Sequence, residues 1–177
     1  MTTRLDSTAA PTPDPGVRSS DLSNIYQEGI VAGLCGAATI AVWFLILDLF
    51  TGRPLYTPTV LGTMLFRGGL GLDDPATLQP SAEMVLMFTW VHGLAFLILG
   101  GIASRLLGLA EKNPNYGFGI LLFLVFFEFG LLVAAMLFAE PVLHALTWPA
   151  ILIGNLLAAA AMAAYLWRRH PNLNIRP

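Results

Sequence analysis

Charged residues are scarce in this chain of 177 residues: Asp, Glu, Lys and Arg together make up 11% of it, against about a quarter in ordinary soluble domains. Hydrophobic residues make up 56%, and the mean hydropathy is +0.70. So few charges cannot cover the surface of a water-soluble globule, which excludes a typical cytosolic enzyme domain. The formal net charge is −2, so no basic surface is available to bind nucleic acid.

Cysteine is almost absent as well. The single Cys35 excludes an intramolecular disulfide framework and every metal site built on a CxxC pair. The sequence also lacks a serine-centred nucleophile elbow, a glycine-rich phosphate loop and an HExxH motif. These absences favour a protein that is not an enzyme.

Long apolar stretches dominate what remains. A helix needs about 20 apolar residues to cross the hydrocarbon core, where every backbone polar group must bond within the segment. We therefore predict an all-α integral membrane protein, an antiparallel four-helix transmembrane bundle within residues 25–169. The predicted spans cover about 29–50, 82–106, 115–139 and 142–167.

The segments outside this domain are polar. Residues 1–24 are rich in Thr, Ser, Pro and Asp, which predicts a disordered tail, and residues 170–177 form a second tail. With both termini in the cytoplasm, seven basic residues lie inside, and only Arg53 and Arg67 lie outside. This distribution predicts insertion in the cytoplasmic membrane with both tails cytoplasmic. The inside set is Arg4, Arg18, Arg105, Lys112, Arg168, Arg169 and Arg176.

One long loop, residues 51–81, joins the first two spans on the outer side. Within it, Thr57 followed by Pro58 predicts an N-cap and a first helical position. The apolar run 59–66 is too short to span, so it predicts a short interfacial or re-entrant helix that ends at Gly68 and Gly69. Acidic residues near the outer ends of the spans are expected to be solvated; these are Asp48, Glu83 and Glu140.

Small residues recur at helical spacing along the spans and predict close helix–helix contacts. They are Gly29, Gly33 and Gly36 in the first span, Gly93 and Gly100 in the second, and Ala158, Ala161 and Ala164 in the fourth. The segments EGIVAGLCGAATIAVWFLILD and HGLAFLILGGIASRLL resemble small membrane proteins of the bacterial inner membrane in general character. That resemblance implies no particular activity.

Each predicted span contributes one polar group. Counting about 1.5 Å per residue from the outer ends, His92 lies about 14 Å deep and Glu128 about 16 Å deep. Thr39 falls near mid-membrane, and Asn155 lies about 5 Å deeper than Glu128. The four side chains predict an intramembrane polar network. Such a network either holds the helices together or serves a function, because an intramembrane carboxylate is a functional candidate by default.

Two chemical uses of these residues stay open. His92, Glu128 and His144 have the ligand chemistry for a metal ion such as iron, zinc or copper, although His144 lies at a different depth. His92 and Glu128 could instead relay protons. A bis-histidine haem is disfavoured because His92 and His144 differ by about 9 Å in depth. The cofactor is therefore unidentified, with a metal ion as the candidate.

The architecture favours a structural or accessory subunit of a larger membrane assembly, with respiratory and photosynthetic complexes as examples. The expected partners are the lipid bilayer and either other membrane subunits or further copies of the chain. The alternative is a stand-alone four-helix protein that binds a metal or relays protons through His92 and Glu128. These expectations rest on architecture by analogy.

Overall fold

The computed structural model describes residues 15–70, 72, 77–113, 116–118 and 147–170, with side chains described at 26–70, 72, 77–111, 113, 116–118 and 147–170. The regular structure in these ranges is helical: α1 is Pro15–Phe50, α2 is Tyr56–Arg67, α3 is Ala82–Lys112 and α4 is Trp148–Arg169. Three segments of them are long and apolar enough to cross a membrane: Tyr26–Phe50, Ala82–Glu111 and Trp148–Arg169. Apart from residues 116–118, which are helical, the predicted span 115–139 lies outside the described residues, as does the beginning of the span 142–167.

The first helix is longer than its predicted span. Because α1 begins at Pro15, residues 15–24 of the segment expected to be a disordered tail are helical. Proline suits the first turn of a helix, where its fixed φ angle fits and its missing N–H costs no hydrogen bond. Residues 1–14 and 171–177 lie outside the described part of the chain.

Glycine allows α1 and α3 to pack backbone against backbone. A Cβ atom added at Gly29 would lie 2.7 Å from the Cα of Gly101, and one added at Gly33 would overlap the carbonyl of Phe96. Gly100 is equally tight, since its added Cβ would overlap the backbone of Gly29. The predicted close packing at Gly29, Gly33 and Gly100 is therefore confirmed. Helices in an apolar environment gain dispersion contacts by such close approach.

The same helix, α1, also packs on α4. Gly36 lies where the three long helices meet, because an added Cβ there would be 2.6 Å from Met162 Sδ of α4 and 2.8 Å from the ring of Phe96. Farther along, the indole of Trp43 lies against Gly154. Helix α1 is therefore the central element, with α3 and α4 as its neighbours.

Helix α2 packs on the beginning of α3. An added Cβ at Gly62 would lie 2.5 Å from the carbonyl oxygen of Met84, so α2 and α3 also approach closely. Tyr56, Val60 and Leu72 form a small buried cluster under this helix. The short helix predicted in the loop is confirmed, and it ends at Gly68, whose φ of 59° lies in the left-handed region that favours glycine.

The predicted beginning of α2 was wrong by two positions. The N-cap is Leu55, with φ of 64°, and Thr57 lies inside the first turn. The backbone N–H of Thr57 donates to Asp48 Oδ2 over 2.8 Å. A carboxylate from the preceding helix therefore satisfies a first-turn donor of α2, and no local cap is required.

Candidate functional site

His92 is a polar side chain at the contact between α3 and α1. Its ring is half-buried, and Nε2 lies 3.3 Å from the carbonyl oxygen of Ala37 in α1. Phe88 and Phe96 flank the imidazole at ring-centroid distances of 5.6 and 4.8 Å. Because a carbonyl oxygen only accepts, Nε2 carries the proton in this contact and Nδ1 of the neutral ring is an acceptor. His92 thus binds two helices together and keeps one nitrogen for a ligand or proton.

The other described members of the predicted network are not joined to His92 by hydrogen bonds. The hydroxyl of Thr39 donates to the carbonyl of Cys35 in its own helix, over 2.7 Å. Asn155 is half-buried on α4, next to Gly154, and has no side-chain hydrogen bond to another described residue. Glu128 and His144, the remaining predicted site residues, lie outside the described residues. The network and the metal site that depend on them stay predictions.

Trp43 is a second polar contact between helices, and the sequence did not single it out as one. Its Nε1–H donates to the carbonyl oxygen of Ala150 over 2.9 Å, close to the first turn of α4. A first-turn carbonyl of a helix also accepts within the helix, so this bond uses its second lone pair. Trp43 therefore joins α1 to α4 through a backbone carbonyl, as His92 joins α3 to α1.

Asp48 corrects the expectation of solvated helix-end charges. It is 4% exposed, and its carboxylate accepts from both the N–H and the hydroxyl of Thr57, over 2.8 and 2.7 Å. Glu83, in contrast, is exposed as expected and pairs with Arg67 at 3.1 Å. We call this side of the molecule the Asp48 end. Two acidic residues that look equivalent in the sequence therefore have different roles.

The opposite side, the His170 end, carries a group of titratable residues that sequence analysis missed. His170 caps α4 and lies between two carboxylates, with Nε2 3.1 Å from Glu28 of α1 and Nδ1 2.9 Å from Glu111 of α3. We call these three residues the histidine cluster. The signal in the sequence was that all three residues flank predicted spans on one side of the membrane.

The histidine cluster links the three long helices through the contacts of the His170 ring with two carboxylates. Within the described part of the chain, no group of three or more His, Cys, Asp or Glu side chains is arranged to hold a metal ion. No known protein family, curated protein or solved structure matches this chain. The function must therefore be argued from the geometry.

Proposed function

We propose that this chain is an integral membrane protein that serves as a structural or accessory subunit of a larger membrane assembly, such as a respiratory or photosynthetic complex. The observation that carries the proposal is the use of polar atoms in the three long helices. Side chains there bind backbone carbonyl oxygens of their own or a neighbouring helix; they are Thr39, Trp43, Thr89 and His92. The bonds of Trp43 and His92 join neighbouring helices, whereas the hydroxyls of Thr39 and Thr89 are satisfied within their own helices.

Exposed apolar side chains on the outward helix surfaces offer contact area for neighbouring subunits. On α3, large apolar side chains recur on one face near the Asp48 end, and we call them the α3 stripe: Leu86, Trp90, Val91 and Leu94. Trp90 is 80% exposed. Tryptophan is enriched among the residues that dominate binding energy at protein interfaces. We therefore assign the α3 stripe as the docking face toward other membrane helices.

The experiment is to tag the full chain at its native level, extract it in mild detergent and separate it on a native gel. Mass spectrometry then identifies chains that co-migrate in fixed ratio. We expect one large complex, which the double variant Trp90→Ala/Leu94→Ala weakens. The matched control is Leu156→Ala/Leu157→Ala, which truncates two exposed leucines of α4 and should leave the complex intact. Migration of the wild-type chain alone, as a monomer or small oligomer, would overturn the proposal.

His92 supports a second candidate function. A half-buried imidazole within a helix that can span a membrane is a candidate for a functional role, and its Nδ1 can accept a proton or bind a metal. In this alternative, the chain binds a metal ion or relays protons through His92 and Glu128, without partner subunits. Metal content of the purified protein and proton flux into liposomes are measured for wild type, His92→Ala and Glu128→Gln. Loss of either signal with helicity intact favours this candidate, whereas a lower melting temperature alone refutes it.

The proposed setting is the cytoplasmic membrane, with both termini in the cytoplasm. Support comes from the grouping of aromatic and basic side chains at the His170 end, where Tyr26, Arg105, Trp167 and Arg168 are all exposed. Rings and arginines of this kind are typical of a membrane–water interface, and basic residues favour the cytoplasmic side.

A further inference from the structure

A groove lies between α1 and α3 near the His170 end. Its volume is about 290 Å³, about that of ten liquid waters. Ile30, Ile98 and Ile102 line it and are each exposed, so it opens on the outer surface of the helix pair. Gly101 also lines it, and a Cβ added there would meet none of the described residues within 4 Å. The groove is therefore lined mainly by apolar side chains, and it is kept open at Gly101 because glycine has no side chain to fill it.

One end of this groove is polar and positively charged. Arg105 donates a hydrogen bond from Nη2 to the hydroxyl of Tyr26, and its guanidinium lies 5.2 Å from the centroid of the same ring. Both side chains are exposed and both line the groove. Tyr26 takes one of the five N–H donors of the guanidinium, so donors remain for a ligand.

The nearby carboxylates do not neutralise Arg105. Glu28 and Glu111 are directed to His170 in the histidine cluster. In the described part of the chain, Arg105 forms no salt bridge. An apolar groove with an arginine at its mouth therefore fits an amphiphile that has a hydrocarbon chain and an anionic head.

We propose that the groove binds an anionic phospholipid, with one acyl chain along Ile30, Ile98 and Ile102 and the phosphate at Arg105. Arginine presents a planar fork of donors that matches phosphate oxygens. Basic pockets between membrane helices recognise anionic head groups in this way. The proposal depends on membrane insertion and not on assembly with other subunits.

The test is native mass spectrometry of the full-length chain, purified alone in detergent and titrated with phosphatidylglycerol or with phosphatidylcholine of identical acyl chains. We expect one phosphatidylglycerol to be retained per chain, with an apparent affinity about tenfold above that for phosphatidylcholine. Both lipids carry a phosphate, but the choline cation of phosphatidylcholine offsets the negative charge that attracts Arg105. Equal retention of the two lipids would overturn the proposal. Because the isolated chain is used, failure here leaves the native-gel result for assembly unaffected.

Two groove variants and two matched controls make the test specific. Arg105→Gln removes the positive charge, and Gly101→Leu fills the groove from a position with free space around it. Arg67→Gln removes an exposed arginine at the Asp48 end, and Gly93→Leu adds the same side chain at another open glycine of α3. We expect the preference for phosphatidylglycerol to disappear in both groove variants and to persist in both controls. Persistence in either groove variant overturns the proposal.

Discussion

Replacing Asp48 by alanine should release α2 from the bundle. Asp48 is buried at the end of α1, and its carboxylate accepts both the N–H and the hydroxyl of Thr57. Thr57 is itself 3% exposed, so water cannot readily replace the lost acceptor. The alanine variant therefore leaves two buried donors without a partner in the folded state.

The contacts of Asp48 set the size of the expected loss in stability. A hydrogen bond to a charged group contributes about 1.5–3 kcal/mol, and a buried unsatisfied donor costs about 1–3 kcal/mol. Loss of a capping acceptor alone costs about 0.5–2 kcal/mol. Allowing for overlap among these effects, we expect Asp48→Ala to destabilise the docked state of α2 by about 2–4 kcal/mol. Asp48→Asn keeps one acceptor, Oδ1, for the N–H of Thr57, and its amide NH2 can donate to the hydroxyl oxygen of Thr57. This variant should therefore cost less, about 1 kcal/mol.

Hydrogen–deuterium exchange of the α2 amides in detergent measures this opening locally. At 1.4 kcal/mol per tenfold, Asp48→Ala should speed exchange by roughly 30-fold to several hundred-fold. The control is Glu83→Gln at the same end of the molecule, where the carboxylate is 66% exposed and pairs with an exposed arginine. Such a pair contributes about 0–1 kcal/mol. Equal exchange rates in the Asp48→Ala and Glu83→Gln variants would refute the assigned role of Asp48.

Three further predictions concern packing, charge and orientation. Gly33→Leu should lower the free energy of unfolding by at least the ~1–3 kcal/mol of an overpacked contact, and therefore lower the melting temperature in detergent. Gly93→Leu, where an added Cβ has open space among the described residues, should not. Similar melting of the two variants would contradict the close packing of α1 on α3. His170→Gln removes the imidazole that contacts two carboxylates in the partly buried histidine cluster, and it should destabilise the fold by about 1–3 kcal/mol, between the values for exposed and buried pairs. Unchanged thermal melting would show that the cluster contributes nothing. The orientation can be tested by cysteine labelling in a background where the native cysteine is replaced by serine. Arg67→Cys should then react with a membrane-impermeant maleimide on intact cells, and Arg168→Cys should react only after permeabilisation. The reverse labelling pattern would contradict the proposed orientation.

The sequence was most informative about the helices and their closest contacts. Runs of apolar residues predicted spans at 29–50 and 82–106, which lie within the long apolar helical segments Tyr26–Phe50 and Ala82–Glu111. The reason is that a hydrocarbon environment tolerates few charges and requires internal backbone hydrogen bonds. The spacing of Gly29, Gly33 and Gly100 predicted where backbones meet, since only glycine permits that distance. Gly93 shares the same pattern, but a Cβ added there would meet none of the described residues within 4 Å. Spacing along one helix cannot show which face has a partner.

Polar partnerships were decided by the tertiary structure. His92 was singled out as a polar residue within a predicted span, and the structure places its ring nitrogen beside a backbone carbonyl of α1. The sequence cannot show such a contact, because every residue has a backbone carbonyl. Asp48 and Glu83 looked alike because the sequence shows neither the fold of α2 over one carboxylate nor the exposure of the other. The histidine cluster joins residues 28, 111 and 170, which no local pattern connects. Hydrophobic periodicity is a local property and could be read directly, whereas these contacts exist only once the helices are packed together.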